Sequence, residues 1–471
     1  MAGEWRTATV QQLVDEGVLE RPLDGNHGEI HPKTADFVKQ GIPFIMASDL
    51  VGGRVDTRQC AFISEQQARS LRKGFSVPGD VLISHKATMG RTALVQELDV
   101  PFIMLTPQVT YYRVRDRSRL SHRYLKLYFD SPDFQRLFDT WGQKGSTRAY
   151  LGITAQLDLP IVLPPPDEQR AIAHILGTLD DKIELNQRMN ETLEAIAHAL
   201  FKSWFVDFDP VRRNMARNDR GQTSFGASRN PLPKVEGGAG GEGRIEKLDA
   251  LFPDSFEGSE LGEIPKGWAV KPFVDTVEII GGGTPKTSVP EYWNGDIPWF
   301  SVVDSPTGSD VWVVDTKKKI TREGVENSST QVLPVGTTII SARGTVGRIA
   351  LVGVPMAMNQ SCYGLRGKVD KRGFFTYFAT RELVASLQQH AHGSVFDTIT
   401  RDTLAGVSVA LPPTALIEAF ETRVSPTLER IRAALLGSRT LAALRDTLLP
   451  KLISGELRVR DAERFIAKVG L

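Results

Sequence analysis

The stretch that decides the fold runs from Leu163 to Phe205: LPPPDEQRAIAHILGTLDDKIELNQRMNETLEAIAHALFKSWF. A proline stop, Pro164-Pro165-Pro166, opens it. After Asp167 it holds no proline and one glycine, Gly177. Apolar residues fall at Ile172, Leu176, Leu179, Ile183, Leu193, Ile196, Leu200 and Trp204, the three-and-four spacing of one helix face. At 1.5 Å per residue such a helix is roughly 55–60 Å long. Globular helices usually stop at about 20 residues, so this one needs a partner rod. The chain supplies it. Ile431, Leu441, Leu444, Leu448 and Leu452 stand where Ile183, Leu193, Ile196, Leu200 and Trp204 stand in the first rod. These ten positions are the expected helix–helix contacts. Pro426 is expected to kink or restart the second helix, and Pro450 to end it near Leu449.

The partner rod exists because the chain carries the same unit twice. Gly41-Ile42-Pro43-Phe44-Ile45 is answered by Asp296-Ile297-Pro298-Trp299-Phe300, each followed by an aspartate, Asp49 or Asp304. Pro78 to Ser84 is answered by Val335 to Ser341, and Met89 to Val95 by Val346 to Val352. Thr106-Pro107-Gln108 corresponds to Met358-Asn359-Gln360. Gly145 to Pro165 matches Gly393 to Pro413 at equal length. The order is kept at offsets of about 245 to 260, as expected of an internal repeat. Short Val/Ile-rich strands (Val81 to Ser84, Ile339 to Ala342, Ile349 to Val352) alternate with Gly/Pro turns. Helical stretches are expected at Arg123 to Phe138 and Arg372 to His390. The expected class is α+β: two pseudo-symmetric mixed α/β domains separated by two long helices that pack lengthwise as a coiled coil. The expected boundaries are 1–163 for the first domain, 164–209 for the first helix and 210–258 for a flexible linker. The second domain covers 259–413, and the second helix and tail cover 414–471. The linker expectation rests on an Asn/Arg/Gly/Ser-rich stretch that includes the Gly/Glu run Gly237 to Gly243.

Composition excludes several classes. The 471 residues carry a formal net charge of +1, so charge alone does not point to nucleic acid. No apolar run approaches the roughly 20 residues that span a bilayer. MAGEWRTATV is no secretory leader, and cytoplasmic residence is the expectation. Cys60 and Cys362 make neither a disulfide framework nor a zinc pattern. Gly238 to Gly243 fits Gly-x-Gly-x-x-Gly without the strand and helix that a dinucleotide site needs. Asp167, Asp180, Asp181 and Lys182 imitate a nuclease signature but lie on the rod, Asp167 and Asp180 about 20 Å apart. Asn230-Pro231-Leu232-Pro233 lacks the second proline and the aromatic of a methyltransferase motif, and no phosphate-cradling loop occurs. His390 and His392 read as surface or DNA contacts rather than metal ligands. No catalytic or metal residue is expected.

What remains is a pair of polar, basic loops, each joining two apolar strands and therefore exposed. The first offers Ser84, His85, Lys86, Thr88 and Arg91; the second offers Ser341, Arg343, Thr345 and Arg348. A second pair holds Lys144, Ser146, Thr147 and Arg148 in one copy, His392 and Ser394 in the other. Gln108 and Gln360 lie beside them, and Lys286 follows Gly282-Gly283-Thr284-Pro285. Arg forks two hydrogen bonds to guanine, Gln does so to adenine, and Lys, Ser and Thr hold phosphates. These residues are the candidate DNA contacts. The basic run Arg113 to Arg123 has no counterpart in the second copy and reads equally as a solvated face or a phosphate contact.

This order resembles the specificity subunit of type I restriction–modification enzymes over nearly the whole chain. Its carriers are Leu163-Pro164-Pro165-Pro166-Asp167-Glu168-Gln169, Ala199 to Phe208, Gly262-Glu263-Ile264-Pro265-Lys266-Gly267-Trp268, Gly282-Gly283-Thr284-Pro285 and Leu448 to Leu457. Pro426, and the lack of Glu-Gln in Thr414 to Glu418, depart from the pattern. The resemblance implies two target-recognition domains held apart by antiparallel helices, in a non-catalytic subunit that reads double-stranded DNA, each domain taking one half of a split, asymmetric site. It implies two DNA adenine methyltransferase subunits and motor-nuclease subunits as partners. S-adenosylmethionine, ATP and Mg would belong to those partners and no cofactor to this chain. The alternative is a stand-alone two-domain sequence-specific DNA-binding protein.

Overall fold

The structure is a computed structural model that describes residues 5–143, 149–223, 248–306, 310–390, 398–459 and 461–462. It divides into two compact units: Met1–Ile183 with Thr440–Leu471, and Glu184–Arg439. Each unit holds one mixed-sheet module and one stretch of each long helix.

The first module contains a six-stranded sheet, in the order Leu23–Asp24, Val109–Tyr112, Val81–Ser84, Thr92–Leu94, Arg54–Val55, Leu50–Val51. A five-stranded sheet accompanies it, with Ile42–Ile45 at its centre. In the second module a five-stranded sheet carries Val277–Gly281, Cys362–Gly367, Thr338–Ser341, Ile349–Val352 and Trp312–Val313, beside a three-stranded sheet built on Trp293–Phe300. The repeat holds at the level of register. Thr92 pairs with Ile83 antiparallel in the first module, and Ile349 pairs with Ile340 in the second. Both hairpins are Val/Ile/Leu-rich and buried, the pattern of strands covered on both faces. Each module is closed by an antiparallel pair just before its long helix: Arg6–Thr9 with Pro160–Leu163, and Ala269–Pro272 with Ser408–Leu411.

The first long helix spans Pro166–Phe205, 40 residues. Pro166 suits a first helical position, and Asp167 and Glu168 in the first turn face the positive helix end. The second spans Thr414–Ile453, also 40 residues. Within each unit the stretches run antiparallel. In the first, Glu168 meets Arg458 (2.9 Å), and Asp180, further along, meets the earlier Arg445 (2.8 Å). In the second, Asn186 donates to Ser438 Oγ (3.0 Å), while Phe201 packs on Phe420.

Several expectations need correction. Pro426 does not interrupt the second helix. Its missing N–H removes one backbone bond, but Val424 and Leu428, 2 % and 0 % exposed, anchor both sides. Pro450 does not end it either. The helix runs to Ile453, and Gly455, at φ +74°, supplies the left-handed stop. The segment expected as linker begins with a helix, Asp209–Thr223. Val211 is buried there, and the Asn214 amide donates to the carbonyls of Asp249 and Phe252. The Gly237 to Gly243 run lies outside the described residues. Arg123 to Phe138 is two helices, His122–Asp130 and Pro132–Gly142, broken where Ser131 caps the second. Ile196 leaves the helix–helix seam: it is 56 % exposed, and Ala197 takes the buried place. Ile431, Leu441, Leu448, Leu452 and Trp204 are buried as seam residues, while Ile183, Leu193, Leu200 and Leu444 pack at its margin. The second unit's seam also buries Asn186, Asn190 and Glu194.

Gln169 of the first long helix and Glu421 of the second each bond to several backbone groups of their modules. The Gln169 amide accepts from Ser121 N–H and donates to the carbonyls of Arg119 and Pro164. Glu421 accepts from the N–H groups of Arg372, Phe374 and Phe375, capping the helix Phe374–His390.

Candidate nucleic-acid interface

The two polar loops share one backbone lock. Ser84 N–H donates to Arg91 O (2.8 Å), Arg91 N–H donates to Ser84 Oγ (2.9 Å), and Gly90 N–H donates to Ser84 O (2.8 Å). The second loop repeats this through Ser341 N–H to Arg348 O (2.8 Å), Arg348 N–H to Ser341 Oγ (2.8 Å), and Gly347 N–H to Ser341 O (3.0 Å). Gly90 and Gly347 sit at φ +80° and +82°, where a side chain would be strained. A Cβ at Gly90 would also strike Gln135 Oε1, and one at Gly347 the Val384 side chain. Single bridges, Lys86 with Tyr150 and Arg343 with Thr398, tie each loop to the segment entering the long helix.

This lock corrects three site residues. Ser84, His85 and Ser341 are all 0 % exposed. The serines hold the loop closed rather than face solvent. His85 Nδ1 lies 3.0 Å from Leu151 O, and burial lowers the pKa of its ring although Asp24 pulls the other way. Buried groups of this kind position a loop and touch no groove.

The exposed remainder is Lys86, Thr88 and Arg91 in the first module and Arg343, Thr345 and Arg348 in the second. Arg91 keeps one light bond, Nη1 to Ala47 O at 3.3 Å. Gln108 is half-buried; Gln360 is exposed and accepts the Thr284 hydroxyl. Lys286 is exposed, and its carbonyl takes Trp293 Nε1 (3.2 Å). Lys144, Ser146, Thr147, Arg148, His392 and Ser394 lie outside the described residues. Asp49 and Asp304, the recurring aspartates, cap turns: their carboxylates accept Met46 N–H (2.8 Å) and Ser301 N–H (2.9 Å).

The basic run resolves differently. Arg113 forks onto buried Asp80 (both contacts 2.8 Å) and lies over the Tyr111 ring; Arg115 pairs with Glu20 and Arg119 with Glu16. Bonding to Asp80 raises the Arg113 pKa further. These three arginines are committed to carboxylates of their own module.

Sequence reasoning missed the segment His27 to Asp36, which carries His27, His31 and Lys33 beside Lys86 and Gln108 around one cavity of about 540 Å³. Its only sequence signal was a polar turn, Gly25-Asn26-His27-Gly28, followed by His31-Pro32-Lys33. Asp24, at its root, is 3 % exposed; burial would raise its pKa, but bonds from Lys73 and His27 outweigh that and hold it low. Among the described residues no cluster of His, Cys, Asp and Glu could hold a metal ion. No described helix is long and apolar enough to cross a membrane.

The family described as "Type I restriction modification DNA specificity domain" matches residues 26–195 and 265–416, so both copies fall within it. The HindI type I restriction enzyme specificity subunit of Haemophilus influenzae is 28% identical over 323 residues, 64% of this chain and 69% of that one. The MjaIX specificity subunit of Methanocaldococcus jannaschii is 32% identical over 162 residues, 33% of this chain and 37% of its own. The crystal structure of a type I restriction-modification system S subunit from M. genitalium superposes with a TM-score of 0.52 at 13% identity. That superposition covers 95% of this chain and 96% of that one, a likeness of fold. With both repeats inside one family's bounds and most of the chain covered, this protein belongs to the type I restriction–modification specificity-subunit family.

Proposed function

We propose that this chain is the sequence-reading subunit of a type I complex, each module reading one half of a bipartite, asymmetric DNA site. The observation that carries this is the repeated lock, which presents Lys86 and Arg91 on one module and Arg343 and Arg348 on the other. Forked guanidinium groups read guanine edges in the major groove, and Lys and Thr fix phosphates. A formal charge of +1 fits such local basic surfaces, because acidic residues elsewhere balance them. In this reading the chain has no catalytic site and works in the cytoplasm. It scaffolds two adenine methyltransferase subunits, which bring S-adenosylmethionine, and motor-nuclease subunits, which bring ATP and Mg.

Methylome sequencing of cells with and without the gene, the methyltransferase subunit being present in both, tests this. Split-motif adenine methylation that appears only with the gene is the expected result. An identical methylome in both strains contradicts it. Tight, specific DNA binding by the isolated chain with no effect on methylation would favour the stand-alone DNA-binding protein instead.

A further inference from the structure

The cavity of about 540 Å³ on the first module has an aromatic wall, and two of its lining residues, His31 and Thr106, each carry a buried polar atom without a hydrogen-bond partner. Phe44 and the His31 ring pack against each other, centroids 5.5 Å apart. Thr106 is 5 % exposed, yet its hydroxyl finds no partner; His31 Nδ1 is also buried and unpaired. A buried hydroxyl without a partner is unfavourable, so such a site is complementary to a ligand that brings the missing bonds. Burial holds the His31 pKa down, although a backbone bond to Asn26 pulls the other way. Exposed Lys33 and Lys86 also line the cavity, as does half-buried Gln108.

The second module has a different answer at the matching place. Trp299 replaces Phe44, and its Nε1 donates to Gly283 O (3.0 Å). Met358 replaces Thr106 and is 1 % exposed. Gln360 is engaged by Thr284. Apolar or internally bonded groups thus stand where the first module keeps open polar ones.

Resting on the DNA-reading function above, we propose that the first-module cavity is a nucleobase subsite. It takes one unstacked base of that module's half-site. The base edge bonds to the Thr106 hydroxyl and His31 Nδ1, and the flanking phosphate meets Lys33 and Lys86. A stacked base shows only its edge in a groove, whereas a base turned out of the stack projects and can enter a concave pocket. An aromatic wall and a cationic rim suit a base followed by its phosphate.

The test uses the full chain assembled with its methyltransferase subunits and duplexes carrying its methylated motif, with affinity read by fluorescence anisotropy. Thr106→Val keeps the shape and removes only the unpaired hydroxyl, so it should fold at least as well as the parent. His31→Phe keeps an aromatic ring against Phe44 and removes both ring nitrogens, an independent second variant. In the parent, a mismatch at one first-half position outside the methylated adenine should tighten binding several-fold, because unpairing is already done. Either variant should weaken cognate binding roughly ten-fold, erase that mismatch preference and leave discrimination in the other half unchanged. Folded variants with parental affinity and parental mismatch response would overturn the subsite while leaving the DNA-reading function standing. A parent complex with no sequence preference would overturn both.

Discussion

Phe420→Ala is expected to destabilise the second unit by about 3–5 kcal/mol, the range for a fully buried aromatic cut to a methyl. Phe420 is 0 % exposed. Its ring lies 5.2 Å from Phe205, 5.5 Å from Phe201, 6.0 Å from Trp204 and 6.1 Å from Phe378, centroid to centroid. Three of those rings belong to the first long helix and one to the module helix Phe374–His390. One residue of the second helix therefore joins the antiparallel helix pair to the recognition module, and its loss leaves a cavity between rigid neighbours. For a unit of this size the melting midpoint should fall by roughly 10 °C in calorimetry. Leu185→Ala is the control: Leu185 is 59 % exposed, and its loss should shift stability by less than about 0.5 kcal/mol. A Phe420→Ala midpoint within a degree of the parent would mean that this aromatic cluster does not hold the unit together.

Arg113→Ala is expected to be nearly as damaging, for an electrostatic reason. Asp80 is 1 % exposed and accepts from Ser76 Oγ and Val77 N–H, both at 2.9 Å, but among the described residues its charged partner is the Arg113 fork. Removing one member of a buried pair leaves an uncompensated charge, which costs about 3–5 kcal/mol. Urea denaturation of Arg113→Ala should show that loss in the first unit. Asp80→Asn/Arg113→Met should recover much of it, because the buried charge goes with its partner. Were Arg113 a phosphate contact instead, Arg113→Ala would keep its stability and lower the salt slope of DNA binding by about one unit.

Much of the fold was legible because the duplication repeats strand pattern and turn chemistry together. Val81 to Ser84 and Ile349 to Val352 are apolar runs bounded by turn glycines, and both emerged as strands. The long helices were legible from periodicity, their stops less so. Pro426 and Pro450 are tolerated because packing on either side outweighs the lost backbone bonds, a tertiary effect invisible in local sequence. Ile196 was misplaced because the seam passes through Asn186, Asn190 and Glu194, polar residues that a hydrophobic count skips. The helix Asp209–Thr223 was missed for a related reason: among its described side chains only Pro210 and Val211 are buried.

The exposure of Lys86, Arg91, Arg343 and Arg348 was legible because a loop between buried strands must stand out. Ser84 and Ser341 were assigned the wrong task, since nothing in sequence tells a loop-closing hydroxyl from a ligand-facing one. The cavity around His31, Lys33 and Thr106 could not be read at all. It is assembled from segments that share no motif and meet only after the sheets form.

The central claim, two readers with separate halves, is tested most directly by exchanging Arg343 to Arg348 for unrelated loop residues while keeping Ser341 and Gly347. Methylome sequencing then reports the modified motif. One half should change or be lost while the other keeps its bases and its spacing. A motif altered alike in both halves, or altered in neither, would contradict it.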